Sequence, residues 1–343
     1  MLYLPTSLIF FGYTIITFIY VIKNRKEKIE KHLFLNELLI VLLFLMAGIL
    51  FPYMYRFHSP DLTSESINLL WLSTSIVFLM ELGILIGIVS YNAIISKRDP
   101  EIMAERDYNK YREEFNKQWK DDLKSEFGRK LLHLFTCAVI FLFWTLGVIL
   151  NDMGILEDFG LDTYSFSYWL IVIVGFGFVI MFQIADLARL NKFYMIPNWA
   201  KKWYMDMKQS ELDTFIASTP LVLSFIPFIF APFPIFGAVA LITTGADAVA
   251  CIIGKKYGKN SLRKNSNKTI EGFIAGGLST FLIVILILSL YHPWMPVSIE
   301  KIILMAIIAS VLFLIVDLLS NNISDNILNP LLTGFGMWLI LLL

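Results

Sequence analysis

The chain lacks most of what soluble proteins use to stay in water. Only 16% of its 343 residues are charged, and 28 Lys and Arg balance 28 Asp and Glu, leaving no surplus of either sign. A net charge of zero offers no argument for a nucleic-acid partner, and none is expected. Cysteine is nearly absent. Cys137 and Cys251 both stand in apolar runs, which excludes a disulfide framework and gives no thiolate spacing for a metal. The opening residues, MLYLPTSLIFFGYTIITFIYVIKN, lack a basic start and a small-residue cleavage site, so they read as a retained first span rather than a signal peptide.

What remains is apolar: 57% of residues are hydrophobic and mean hydropathy is +0.69. These values predict an all-α, polytopic membrane helix bundle. Windows of membrane length give about ten transmembrane helices, near 4–22, 34–55, 67–95, 131–150, 168–187, 215–231, 235–253, 270–291, 302–319 and 327–342. The third is long enough to tilt strongly or to continue as a helix beyond the bilayer. Loop charge sets the expected orientation. Lys23, Arg25, Lys26, Lys28 and Lys31 follow the first span, whereas Asp152, Glu157, Asp158 and Asp162 follow the fourth. Basic loops face the cytoplasm, which predicts an integral, multi-pass protein with both termini outside.

Three regions are expected: an N-terminal three-span unit (1–95), an amphipathic cytoplasmic segment (96–130) and a seven-span catalytic region (131–343). In the middle one, Tyr108, Tyr111, Phe115, Trp119 and Phe127 recur at roughly helical spacing between charges of both signs. Glu81, a carboxylate within the third span, reads as an interhelical contact. Asp186 and Arg189 stand three residues apart and read as an intrahelical ion pair.

The chemistry concentrates between Gly245 and Gly277, GADAVACIIGKKYGKNSLRKNSNKTIEGFIAGG. Asp247 is an acid inside a membrane-length apolar run, an expensive placement that points to function. Ala250 and Gly254 share its helical face, and small residues there allow another backbone or a nucleotide to come close. A loop rich in Lys and Arg follows, and then Lys268, Thr269 and Glu271 open the next span, where free N–H groups and the helix dipole favour phosphate. Thr269 as a helix cap with Glu271 as dipole partner explains the same residues structurally. Upstream, Glu126, Arg129, Lys130 and His133 share one helical face at a span start. The cations there are ordinary membrane anchors, and His133 is either a satisfied core histidine or a catalytic one. Near the end, Asp317 closes the ninth span, and Asp325 and Asn326 precede Pro330 as turn residues would. All of these clusters except Glu81 reach the same predicted face of the membrane, which indicates a metal–nucleotide site.

Together these motifs resemble the CTP-dependent lipid kinases: dolichol kinase, phytol kinase and a CTP-using diacylglycerol kinase, relatives of the phosphatidate cytidylyltransferases. The likeness covers roughly residue 126 to the C-terminus. It rests on Arg129-Lys130-x-x-His133, on Asp247-x-x-Ala250-x-x-x-Gly254-x-x-x-Gly258, on Lys268-Thr269-x-Glu271-Gly272, and on Asp325-Asn326 with the following Pro330. Where that family places Gly directly before the motif Asp, Ala246 intervenes here and Gly245 is displaced by one. The resemblance implies transfer of the γ-phosphate of CTP to a lipid alcohol of the dolichol or polyprenol kind, among membrane lipids at the cytoplasmic face. It implies Mg²⁺ on Asp247, with Glu271 or Asp325 as a second carboxylate, and phosphate held by Arg129, Lys130, Lys268 and Thr269 beside Gly254 and Gly258. His133 or Asp325 would accept the alcohol proton. Two other classes stay open: a cytidylyltransferase making a CDP-lipid from a lipid phosphate, and a secondary transporter using Glu81, Asp186 and Asp247, although no convincing internal repeat supports the latter.

Overall fold

The structure is a computed structural model. It describes all residues except 26–30, 121–122, 264–267 and 320–322, and the side chains of 31, 32, 124 and 125 are likewise outside the description. Lys26, Lys28 and the Lys31 side chain, part of the loop-charge argument, therefore lie outside the described residues. The helices are α1 (Leu4–Lys23), α2 (Lys31–Leu50), α3 (Ser64–Arg98), α4 (Pro100–Glu105), α5 (Tyr108–Gln118), α6 (Leu123–Asp152), α7 (Thr163–Asn191), α8 (Asn198–Trp203), α9 (Ser218–Leu223), α10 (Phe233–Leu241), α11 (Asp247–Tyr257), α12 (Ile270–Leu290), α13 (Ile299–Leu319) and α14 (Asp325–Leu342). The expected polytopic all-α bundle is what forms. The third expected span does continue, as the 35-residue α3, about 52 Å long and well beyond a hydrocarbon core.

Among the described residues nine helices are long and apolar enough to cross a membrane, with α10 and α11 counted as one. The difference from the expected ten lies at 215–231. That stretch forms the short α9 and a 3₁₀ turn at Ile226–Phe230. Pro220, Pro227 and Pro232 remove backbone donors every few residues, so no long helix can run through them.

The chain divides into two compact units that are interleaved in sequence: Met1–Asp121 with Leu156–Leu223, and Asp122–Ile155 with Ser224–Leu343. In the first unit, α1 packs on α2, and α3 on α7, around Phe10, Phe44, Phe51, Phe78 and Phe176. Within the amphipathic segment α5 is helical, as its aromatic spacing implies, and its Tyr111 and Phe115 face is covered, whereas Phe127 on α6 is exposed. Tyr111 and Phe115 are fully buried, in a cluster with Phe193, Ile196, Tyr204 and Met207. Tyr111 stacks on Phe193 with centroids 4.6 Å apart, and its hydroxyl donates to the Tyr204 carbonyl at 3.0 Å. Asp186 and Arg189 pair as expected, at 3.0 Å, and both are closed off from solvent. The guanidinium also donates to the carbonyls of Glu211 at 3.1 Å and Leu212 at 2.6 Å. The other carboxylate oxygen of Asp186 accepts the Ile216 N–H at 2.7 Å. Glu81 lies against Gly177, where an added Cβ would meet its carboxylate at 3.1 Å.

In the second unit the helices alternate in direction. The starts of α6, α12 and α14 therefore meet the ends of α11 and α13 at one end of the bundle. The opposite end is held by rings: Trp144 stacks on Phe233 with centroids 3.8 Å apart, and Tyr291 packs edge-on to Phe233 at 5.0 Å. The 224–233 stretch runs alongside α14. Pro330 has no N–H to give to the carbonyl of Asn326 four residues back, and the Ser224 hydroxyl donates to that carbonyl instead at 3.1 Å. Two turns further along, Phe228 lies over Gly334, where a Cβ would come within 2.3 Å of the ring. Although it is not a long helix, this proline-rich stretch still progresses from one end of the bundle toward the other.

Candidate active site

The site begins with a defect in a helix. Between α10 and α11 the backbone makes a π-helical turn over Ile242–Ala246, a feature that recurs at functional positions. Such a turn accommodates one extra residue within a continuous helix, which is how Ala246 fits between Gly245 and Asp247. The hydroxyls of Thr243 and Thr244 donate to the carbonyls of Val239 and Ala240, both at 2.8 Å. Asp247 then opens α11, with 17% of its side chain exposed.

Lys130 of α6 reaches across to Asp247, and its ammonium group bonds Oδ2. One turn earlier on α6, Glu126 pairs with Arg129 on its own helix and with Lys255 of α11 at 3.4 Å. The Cys251 thiol stands 3.7 Å from the same carboxylate. Two antiparallel helices are thus laced by alternating charge, and Arg129 is committed to Glu126. His133 lies half-buried one turn beyond Lys130.

A second pair lies at the same end. The Lys268 ammonium donates to Asp317 Oδ1 at 2.5 Å and to the Asp317 carbonyl at 3.1 Å. Asp247 and Asp325 both lie close enough to Asp317 to act on it electrostatically, and Asp325 acts likewise on Lys130. Lys130, Asp247, Lys268, Asp317 and Asp325 therefore form one field of two cations and three carboxylates. Asp317 is the member to which the sequence attached no role. Its signal was the one Asp247 carries, an acid near the end of an otherwise apolar helix.

The remaining residues sit elsewhere in the same end of the unit. Thr269 caps α12, accepting the Gly272 N–H at 3.2 Å, and the Ile270 N–H goes to the Asn260 carbonyl at 2.9 Å. Two of the free N–H groups at the helix N-terminus are thus satisfied within the chain. The basic loop folds back on itself through a bridge between Ser261 and Thr269. Its Lys264 lies outside the described residues. Gly254 and Gly258 serve close packing. A Cβ on Gly254 would meet Thr269 Oγ1 at 3.0 Å, one on Gly258 the Thr269 methyl at 2.5 Å, and one on Gly272 the Ala250 carbonyl at 2.6 Å. Glu271 accepts from the Lys259 N–H at 3.1 Å and the Asn260 amide at 3.4 Å. Lys259 lies beyond the far end of α11 from Asp247, about 15 Å along the helix or more, so the structure does not bring the Glu271 and Asp247 carboxylates together.

Among the described residues no three His, Cys, Asp or Glu side chains are gathered as metal ligands. What is gathered is a set of three carboxylates, two of them paired with ammonium groups, at one end of an apolar bundle. No curated protein and no solved structure matches the chain. The sequence pattern of the cytidylyltransferase family matches residues 122–322, more than half of the chain. The match runs from the start of α6 past the end of α13, and takes in Lys130, Asp247, Lys268 and Asp317. The chain belongs to the cytidylyltransferase family.

Proposed function

We propose that the protein is a membrane enzyme that uses CTP to modify a lipid, and specifically a kinase that moves the γ-phosphate of CTP to a lipid alcohol of the polyprenol kind. The observation that carries this reading is the pairing of Lys130 with Asp247 and of Lys268 with Asp317 at one end of the second unit. Phosphoryl transfer asks for alignment and neutralised charge rather than covalent help. Lys130 and Lys268 are cations held at the same end of the unit, and a triphosphate entering there gives both a stronger acceptor.

The carboxylates suit Mg²⁺, whose sites usually need one or two acids with phosphates and waters completing the shell. Asp247, with Asp325, would supply those oxygens. Glu271, held by the basic loop, is the poorer candidate for that pair and instead fixes the loop beside the site. Bound Mg²⁺ would neutralise the phosphates and fix their geometry. The alcohol oxygen attacks the γ-phosphorus, the bond to the β-phosphate oxygen breaks, and CDP leaves. The alcohol proton passes to His133 or Asp325.

We place this end at the cytoplasmic face, because Lys255, Lys256, Lys259, Arg263 and Lys268 gather there. Both termini then lie outside, with the broken 215–231 stretch counted as a crossing. The family's name favours a second reading, nucleotidyl transfer from CTP to a lipid phosphate. The Lys268-Thr269-x-Glu271-Gly272 motif favours the kinase. A transporter has less support, since the charged groups collect at one end of the second unit and not midway along it.

CTP labelled separately at the α and γ positions decides between the two chemistries. Transfer of γ-label to a lipid alcohol with release of CDP is expected. Transfer of α-label to a lipid phosphate with release of pyrophosphate would replace the kinase by a cytidylyltransferase.

A further inference from the structure

Among the described residues, Lys268 is the cation that the basic loop delivers to the site, and a lysine at a loop–helix junction has four rotatable bonds to fix before it can meet a phosphate. The structure shows what fixes it. Both the side chain and the backbone carbonyl of Asp317 receive its ammonium group, at 2.5 and 3.1 Å. Asp317 stands in the last turns of α13, a rigid element that packs along both α12 and α14. Thr269 is meanwhile locked as the α12 cap against Gly254 and Gly258, so the loop can supply Lys268 from only one place. Asp317 is mostly buried but keeps 17% of its side chain exposed, and Lys268 keeps 32%.

We infer that Asp317 is a positioning residue for nucleotide binding. It holds the Lys268 ammonium group, by two acceptors on α13, toward the field of Asp247 and Asp325, so that the lysine meets the CTP phosphates without first being ordered. The inference rests on the CTP reading above and adds to it a residue and a role. A salt bridge that served only to join α12 to α13 would be replaceable by any stable contact. A positioning pair instead ties the affinity for CTP to the acid on α13.

The test uses the full-length protein in detergent, with CTP protection against thermal unfolding and steady-state kinetics as two readouts. Asp317→Asn keeps size and shape but loses the charge that holds Lys268. It is expected to raise KM for CTP about tenfold, the worth of one charge-assisted hydrogen bond, with kcat changed much less and KM for the lipid acceptor unchanged. Asp317→Glu is expected to recover most of the loss. Lys268→Gln is expected to raise KM for CTP at least as much, with the double variant no worse than Lys268→Gln alone. If Asp317→Asn leaves KM for CTP within twofold of the native protein, or lowers kcat alone, Asp317 does not position Lys268 for CTP and the inference is overturned. If the native protein shows neither CTP protection nor CTP turnover, the functional reading itself fails and takes this inference with it, a result that no Asp317 variant is needed to see.

Discussion

The two units each pair an Asp on a long apolar helix with a cation, and the pairs differ in their exposure. In the first unit, Asp186 and Arg189 are wholly closed from solvent, and their atoms are engaged by the backbone of the 211–216 turn. In the second unit, Asp247 and Asp317 each hold a lysine, and both stay partly open at 17% side-chain exposure. A fully enclosed pair with satisfied geometry fixes a fold and has no capacity for another ligand. A partly open pair of lysine and carboxylate stays within reach of a ligand entering from water. The choice of cation fits the distinction. Arginine's planar fork anchors several carbonyls at once, whereas lysine is a point charge on a flexible stem.

The largest expected effect breaks the closed pair. Asp186→Ala leaves a buried guanidinium without its counter-charge and is expected to cost about 3–5 kcal/mol, read as a large drop in unfolding temperature or as loss of the folded protein. An unfolding temperature close to native would show that the pair does not hold the first unit. A smaller effect is expected where α11 and α12 touch. Gly272→Ala drives a methyl group toward the Ala250 carbonyl, 2.6 Å away, and overpacking of this kind costs about 1–3 kcal/mol. Turnover should fall with it, because the same contact sets the spacing of Asp247 and Lys268. A variant that is destabilised yet fully active would separate the glycine face from the site. The smallest effect belongs to the first unit: Tyr111→Phe removes one buried hydrogen bond and is expected to cost about 1 kcal/mol, without change in KM for CTP. A changed KM would bring the α5 cluster into the chemistry.

Much of this was legible in the sequence, because in a membrane chain the apolar runs and the rare charges are both conspicuous. Length and hydropathy define the spans, and Asp247 stands out as an acid in a costly place, whereas Lys130 reads as an ordinary membrane anchor. The broken segment at 215–231 was hidden by its composition, since a hydropathy window sums apolar residues and takes no account of Pro220, Pro227 and Pro232. Glu271 and Asp317 show a different limit. Spacing along the chain placed Glu271 near the site by its motif, but which carboxylate faces Asp247 depends on how α13 packs beside α12. That is a long-range contact without local signature. The glycines were legible as a close approach, but the approaching group, Thr269 and the α12 backbone, was not.

The account stands most directly on Asp247→Asn, measured for unfolding temperature and for CTP-dependent turnover in the same preparation. Asp325 still acts on Lys130 in this variant, and the site is partly open to water, so the loss of stability should be well below that of Asp186→Ala. Turnover at saturating Mg²⁺ should fall by about 100-fold or more. A variant that unfolds as readily as Asp186→Ala, or one that folds and keeps near-native turnover, would contradict the division between a pair that holds the fold and a pair that does the chemistry.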